Sequence, residues 1–205
     1  PSQLRRIEDQ VKEAYAEQAK ILSDGGCDAL IIETFSHPSE MRLAVLGARS
    51  ATDIPIVAQI AITYEGGIAD GTDPLDLALE MREWGVDVVG ANCSGPDEVF
   101  KVATRMAESG LPVCVMPNAG RPQRLEDRQI YLATAENFGV FARRMFKAGI
   151  KIVGGCCGTD PEYVKRIASA SRMVSPRRIE LKQVEEQVEQ KLEPIPLSER
   201  SNLGK

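Results

Sequence analysis

The sequence predicts an α/β fold built on a parallel sheet. Three observations lead there. Short apolar runs recur without strict alternation, as in strands covered on both faces. Segments with helical periodicity separate them. Helix starts repeat one chemistry, a Pro in the first turn with Ser, Thr or Asp nearby.

The elements follow in order. Leu4, Ile7, Val11, Ala14, Tyr15, Ile21 and Leu22 recur at roughly helical spacing, interrupted by Gln18, and Gly25-Gly26 provide the stop. Ala29–Ile32 is then the first strand candidate. "PIVAQI" (Pro55–Ile60), "VDVVGANC" (Val86–Cys93), "PVCVMP" (Pro112–Pro117) and "IKIVGG" (Ile150–Gly155) are the others. "PLDLALEMREWG" and "PDEVFKVATRMAESG" are helical and end on Gly85 and Gly110. "SHPSE", "GTDPLD", "CSGPDE" and "GTDPEY" open helices with Pro where its missing N–H costs nothing. The strand starts lie roughly 26 to 38 residues apart, the length of a βα unit.

Such alternation fits either an open doubly wound sheet or a (βα) barrel. No G-x-G-x-x-G follows the first strand, which weakens the dinucleotide-binding version. Unusual polar residues gather toward the strand C-termini: Glu33, Gln59, Asn92-Cys93, Asn118 and Cys156-Cys157. In a barrel these ends converge on one face, where active sites are built. Five strands fall short of the eight of a closed barrel. Three N-terminal βα units are therefore expected to be missing from this chain, which opens on Pro1 and not on Met.

The 205 residues suffice for one domain with a real core. A composition of 43% hydrophobic and 27% charged residues is that of a soluble globular protein. The net charge of -5 argues against a nucleic-acid-binding face. No apolar run approaches the roughly 20 residues that span a bilayer, and no secretory signal opens the chain, so no membrane partner is expected. Cytoplasmic localisation is the expectation. Residues 1–171 read as the barrel domain. Residues 172–205, charged and with Pro176, Pro194 and Pro196, read as a linker or tail, with Val184, Val188 and Leu192 as a weak helical stripe.

The five cysteines are Cys27, Cys93, Cys114, Cys156 and Cys157, too few and too scattered for a disulfide framework. Cys27 and Cys114 read as small packing hydrophobes. Cys93, Cys156 and Cys157 each lie at or just past a strand end. Catalytic zinc takes three protein ligands and keeps one open position, which three thiols with a free side fit. Gly154, Gly155 and Gly158 relax the backbone, so adjacent side chains can turn to one ion. Helix starts near Asp97 and Asp160 add positive potential to balance thiolates. Buried packing thiols and a strained vicinal disulfide remain as alternatives. Glu33 either binds an amine or is solvated. Asn118 either meets a substrate or the zinc, or simply forms a turn. His37, the single histidine, reads as a loop or helix-start residue.

"IIETF", "GANCSGP", "MPNAGRP" and "GGCCGTDP", in this order and at strand ends, resemble the homocysteine S-methyltransferase domain family over about residues 5–171. The resemblance implies a (βα)8 TIM-type barrel, here about its last five βα units. It implies catalytic Zn2+ on Cys93, Cys156 and Cys157, with Glu33 on the amino group of homocysteine and Asn118 lining the pocket. The implied reaction is zinc-dependent methyl transfer to the homocysteine thiol, giving methionine. The donor is open among S-methylmethionine, S-adenosylmethionine, betaine and methylated folate through cobalamin.

The family's first strands and a glycine-rich "DGAMGT"-like segment are not in this sequence. The chain alone is therefore expected to be inactive or nearly so, and to need an N-terminal half-barrel from elsewhere. "PLSERSNLGK" is similar to the linker that precedes a methylenetetrahydrofolate reductase domain in bifunctional bacterial proteins. Two competing readings stand. "GGCCGT" could be the phosphate-binding loop of a metal-free barrel enzyme, or the chain could be a non-catalytic zinc-binding fragment.

Overall fold

A computed structural model of the chain describes residues 3–174. In chain order these form α1 (Gln3–Asp24), β1 (Leu30–Phe35), α2 (Pro38–Ala51), β2 (Ile56–Ala61), α3 (Pro74–Glu83), β3 (Val88–Asn92), α4 (Pro96–Ala107) and β4 (Val113–Met116). A hairpin of β5 (Gln123–Leu125) and β6 (Arg128–Ile130) follows, then α5 (Ala135–Lys147), β7 (Ile152–Val153) and α6 (Pro161–Ser171). The reading of 172–205 as a tail, and its resemblance to a reductase linker, fall almost wholly outside the described residues.

The main sheet has the order β1-β2-β3-β4-β7, and every pair is parallel. Spatial order thus follows chain order without reversal. A doubly wound sheet reverses at its switch point; this one does not, and it forms an arc of a (βα) barrel wall.

The repeated helix starts work as the sequence suggests. Pro stands in the first turn of α2, α3, α4 and α6. Asp73 caps α3 by accepting from the backbone N–H groups of Leu75 and Asp76. Asp160 does the same for α6 with Glu162 and Tyr163, and Thr134 caps α5 through Asn137. His37 is the N-cap residue of α2 and makes no side-chain cap bond.

The core lies between sheet and helices. Ile56, Ala58, Ile60, Val89, Ala91, Val113 and Val115 pack there against Met41, Val45, Leu77, Met81, Val99 and Met106. Alternate strand residues point the other way. Ile31, Glu33, Gln59, Asn92, Cys114 and Met116 therefore occupy the concave face, and the register places Glu33, Gln59, Gly90 and Cys114 in one row. Ile31, on the edge strand, is 52% exposed on that face.

At the N-terminal ends of the strands Arg49 acts as a bolt. Its guanidinium donates to the carbonyls of Ile54 (2.9 Å) and Gly85 (2.8 Å) and to Asp87 Oδ2 (2.7 Å). Asp87 Oδ2 also accepts from the Ile56 N–H at 2.8 Å.

Three readings need correction. The β5–β6 hairpin was not anticipated, because its residues are polar and exposed and give no apolar run. The last strand is only Ile152–Val153, since the glycines after it leave the ladder to build a loop. Cys27 is exposed and not a packing residue, since it sits in the turn that leaves α1. Cys114 is fully buried, as expected, and its sulfur receives Gln59 Nε2 at 3.1 Å.

Candidate metal centre

Three loops at the C-terminal ends of β3, β4 and β7 build the site. Cys93 follows β3 in a left-handed conformation (φ 57°), uncommon for a residue with a side chain. Its N–H donates to the Met116 carbonyl at 3.3 Å. The β4 end stitches the loops together. Asn118 N–H donates to the Ser94 carbonyl (2.8 Å), Ala119 N–H to the Cys157 carbonyl (2.8 Å), and Cys156 N–H to the Pro117 carbonyl (2.8 Å).

Glycines flank the cysteine pair for steric reasons. A Cβ on Gly155 would meet Thr159 Oγ1 at 2.6 Å, and one on Gly158 would meet the Tyr131 ring at 2.4 Å. Gly158 is also left-handed, with φ 78°. The loop therefore turns tightly, and both side chains face the same place.

The sulfurs of Cys93, Cys156 and Cys157 all lie within 4.8 Å of one another. Those of Cys156 and Cys157 are 3.9 Å apart and unbonded, so the pair is not a disulfide. Three sulfurs on one tetrahedral zinc, each at about 2.3 Å, lie roughly 3.8 Å apart. The donor set and spacing fit that ion, and the half-exposed side leaves room for a fourth ligand.

Burial, and then the charge on its neighbours Cys157 and Cys93, pushes the Cys156 thiol up to about 12, against a lowering backbone hydrogen bond. Burial and then Cys157 raise Cys93 as well. Without a cation Cys93 and Cys156 keep their protons; a cation supplies the missing compensation.

The structure places each predicted site residue. Cys93, Cys156 and Cys157 come together. Asn118 sits among them, fully enclosed: its Oδ1 accepts from the Cys157 N–H at 3.1 Å, and its side chain works weakly against the rise of the Cys93 thiol. Glu33 stands two strands away at the end of β1, joined to the cluster by Asn92, whose Nδ2 donates to Glu33 Oε2 at 3.3 Å.

Sequence reading missed Tyr64 and Tyr131. Both phenols are raised, first by burial and then by the charge of nearby cysteines, Cys93 and Cys157 for Tyr64 and Cys157 foremost for Tyr131. They flank the thiols from the β2–α3 loop and from just past β6. The usable signal was an aromatic residue shortly after a strand end. Arg121 holds this rim, with its Nε on Glu98 Oε1 at 2.9 Å and its guanidinium on the Tyr64 carbonyl.

The phosphate-loop reading loses support here. The anion seat at the start of α6 is already filled by the Asp160 carboxylate.

A family model for homocysteine S-methyltransferases matches residues 2–171. The chain belongs to the homocysteine S-methyltransferase family. Among relatives, a methionine synthase of Mycobacterium leprae is 32% identical over 168 residues, covering 78% of this chain and 14% of that protein. The homocysteine S-methyltransferase YbgG of Bacillus subtilis is 29% identical, covering 80% of this chain and 53% of its own length. The chain thus spans about half or less of these relatives. The Escherichia coli homocysteine methyltransferase MmuM in its apo form shares the fold, with a TM-score of 0.63 at 18% identity over 80% of this chain and 57% of that one. A metallated form of MmuM superposes with a TM-score of 0.61.

Proposed function

We propose that this chain supplies the metal-binding and sulfur-binding part of a zinc-dependent homocysteine S-methyltransferase. The observation that carries the reading is the cluster of three thiols on two loops of one barrel end. Zinc held by Cys93, Cys156 and Cys157 would bind the homocysteine sulfur and lower its pKa, so that it is a thiolate at neutral pH.

The protein's own groups do the rest. Asn118 holds the Cys157 backbone N–H, and so fixes that part of the donor set before the substrate arrives. Glu33, exposed on the concave face, receives the substrate ammonium. Tyr64 and Tyr131 narrow the mouth and limit water around the sulfur. The thiolate then attacks the methyl carbon of an activated donor in line; the S–C bond forms as the donor's bond to methyl breaks, and the pair leaves with the donor. Free thiols in this number suit a reducing compartment, and a cytoplasmic site of action is proposed.

The concave face of the described residues is open along β1. These 205 residues alone are therefore expected to bind zinc yet give little or no turnover. Titrating homocysteine into the zinc-loaded protein in buffers of different ionisation enthalpy tests the central step. Release of about one proton per homocysteine at neutral pH is the expected result. Binding without proton release, or no binding, contradicts it.

A further inference from the structure

Asn92 ties the two halves of the proposed substrate site together. It is fully buried at the last position of β3, one residue before Cys93. Its Nδ2 donates to Thr34 Oγ1 at 2.7 Å and to Glu33 Oε2 at 3.3 Å. The amide orientation is set by its neighbours: an ionised carboxylate only accepts, so the nitrogen must face Glu33. Its Oδ1 is then enclosed and has no hydrogen-bond partner among the described residues.

The far side of this contact is also unusual. Thr34 is β-branched yet left-handed, with φ 67°. The register between β1 and β2 shifts there, so that Glu33 opposes Gln59 and Phe35 opposes Ile60. Thr34 is thus the extra residue of a bulge. Phe35 returns to the core side, and Glu33 and Thr34 both meet Asn92. Two left-handed residues, Thr34 and Cys93, therefore lie on either side of one amide. Such strain persists where the surroundings hold it for a purpose.

We infer that Asn92 is a positioning residue that selects a thiol carrying an amino group. It fixes the Glu33 carboxylate at a set distance from Cys93, one of the residues that would hold the sulfur-binding zinc. A ligand must therefore present its ammonium and its sulfur at matching separation. A buried carbonyl oxygen without a donor is costly, so the amide is kept in this place for what its nitrogen holds, Glu33 and Thr34. This inference rests on the zinc–thiol reading above.

The test compares homocysteine with 4-mercaptobutyrate, which lacks the amine, on the zinc-loaded protein by calorimetry. The variants are Asn92→Leu, Glu33→Gln and the double substitution. Zinc content and thermal melting report folding, and Asn92→Ser replaces Asn92→Leu if the latter does not fold. Asn92→Leu should weaken homocysteine binding about tenfold or more and leave 4-mercaptobutyrate within about twofold. In the Glu33→Gln background its effect should shrink, because the two residues act together. Equal weakening of both ligands, or no change in their ratio, overturns the inference while leaving the zinc–thiol reading in place. Failure of wild type to bind either thiol overturns both.

Discussion

The two ends of the same strands are built on opposite terms. At the N-terminal end Arg49 satisfies the Ile54 and Gly85 carbonyls and the Asp87 carboxylate, which itself accepts from Ile56. At the C-terminal end sit two left-handed residues, three thiols within 4.8 Å of one another, and a buried carbonyl oxygen without a donor among the described residues. One end holds the sheet together and the other keeps bonding capacity in reserve for a ligand. Breaking each end should therefore cost something different.

The largest effect is expected at the thiols. Cys156→Ser, Cys157→Ser or Cys93→Ser should each remove stoichiometric zinc with little change in the metal-free melting temperature. Metal analysis with thermal denaturation checks both halves. The pH response should be nearly as large. Burial holds Cys156 near 12 and raises Cys93, so zinc must displace protons. Affinity should climb between about pH 6 and 8, by roughly tenfold per unit for each proton released, as read by chelator competition. A flat profile would mean the thiols are already ionised.

Asn118→Ala comes next. It removes the acceptor for the Cys157 N–H, and should lower zinc affinity about 10–100-fold. Arg49→Ala sharpens the comparison from the other end. It should destabilise the fold by about 1–3 kcal/mol in a denaturant melt and leave zinc affinity unchanged. Cys27→Ser, on an exposed residue far from the cluster in sequence, should alter neither.

Sequence patterns with local causes were legible. Pro and Asp before apolar stripes marked the helix starts, since a cap needs only its own turn. Glycine-flanked Cys156-Cys157 and the strand-end Cys93 marked the thiol site, because barrel topology brings strand ends together. What escaped depended on distance contacts or on polar turns. The β5–β6 hairpin has no apolar run, Tyr64 and Tyr131 reach the thiols from separate loops, and the Asn92 bridge also depends on a bulge that turns Thr34 toward it. Asn118 was legible as a site residue, but its hold on the Cys157 N–H was not.

The most direct measurement is zinc per chain in the purified, reduced and folded protein, beside Cys156→Ser. About one zinc per chain, lost in the variant, is the predicted result. A folded wild-type chain without zinc, or one whose zinc survives the substitution, would contradict the account.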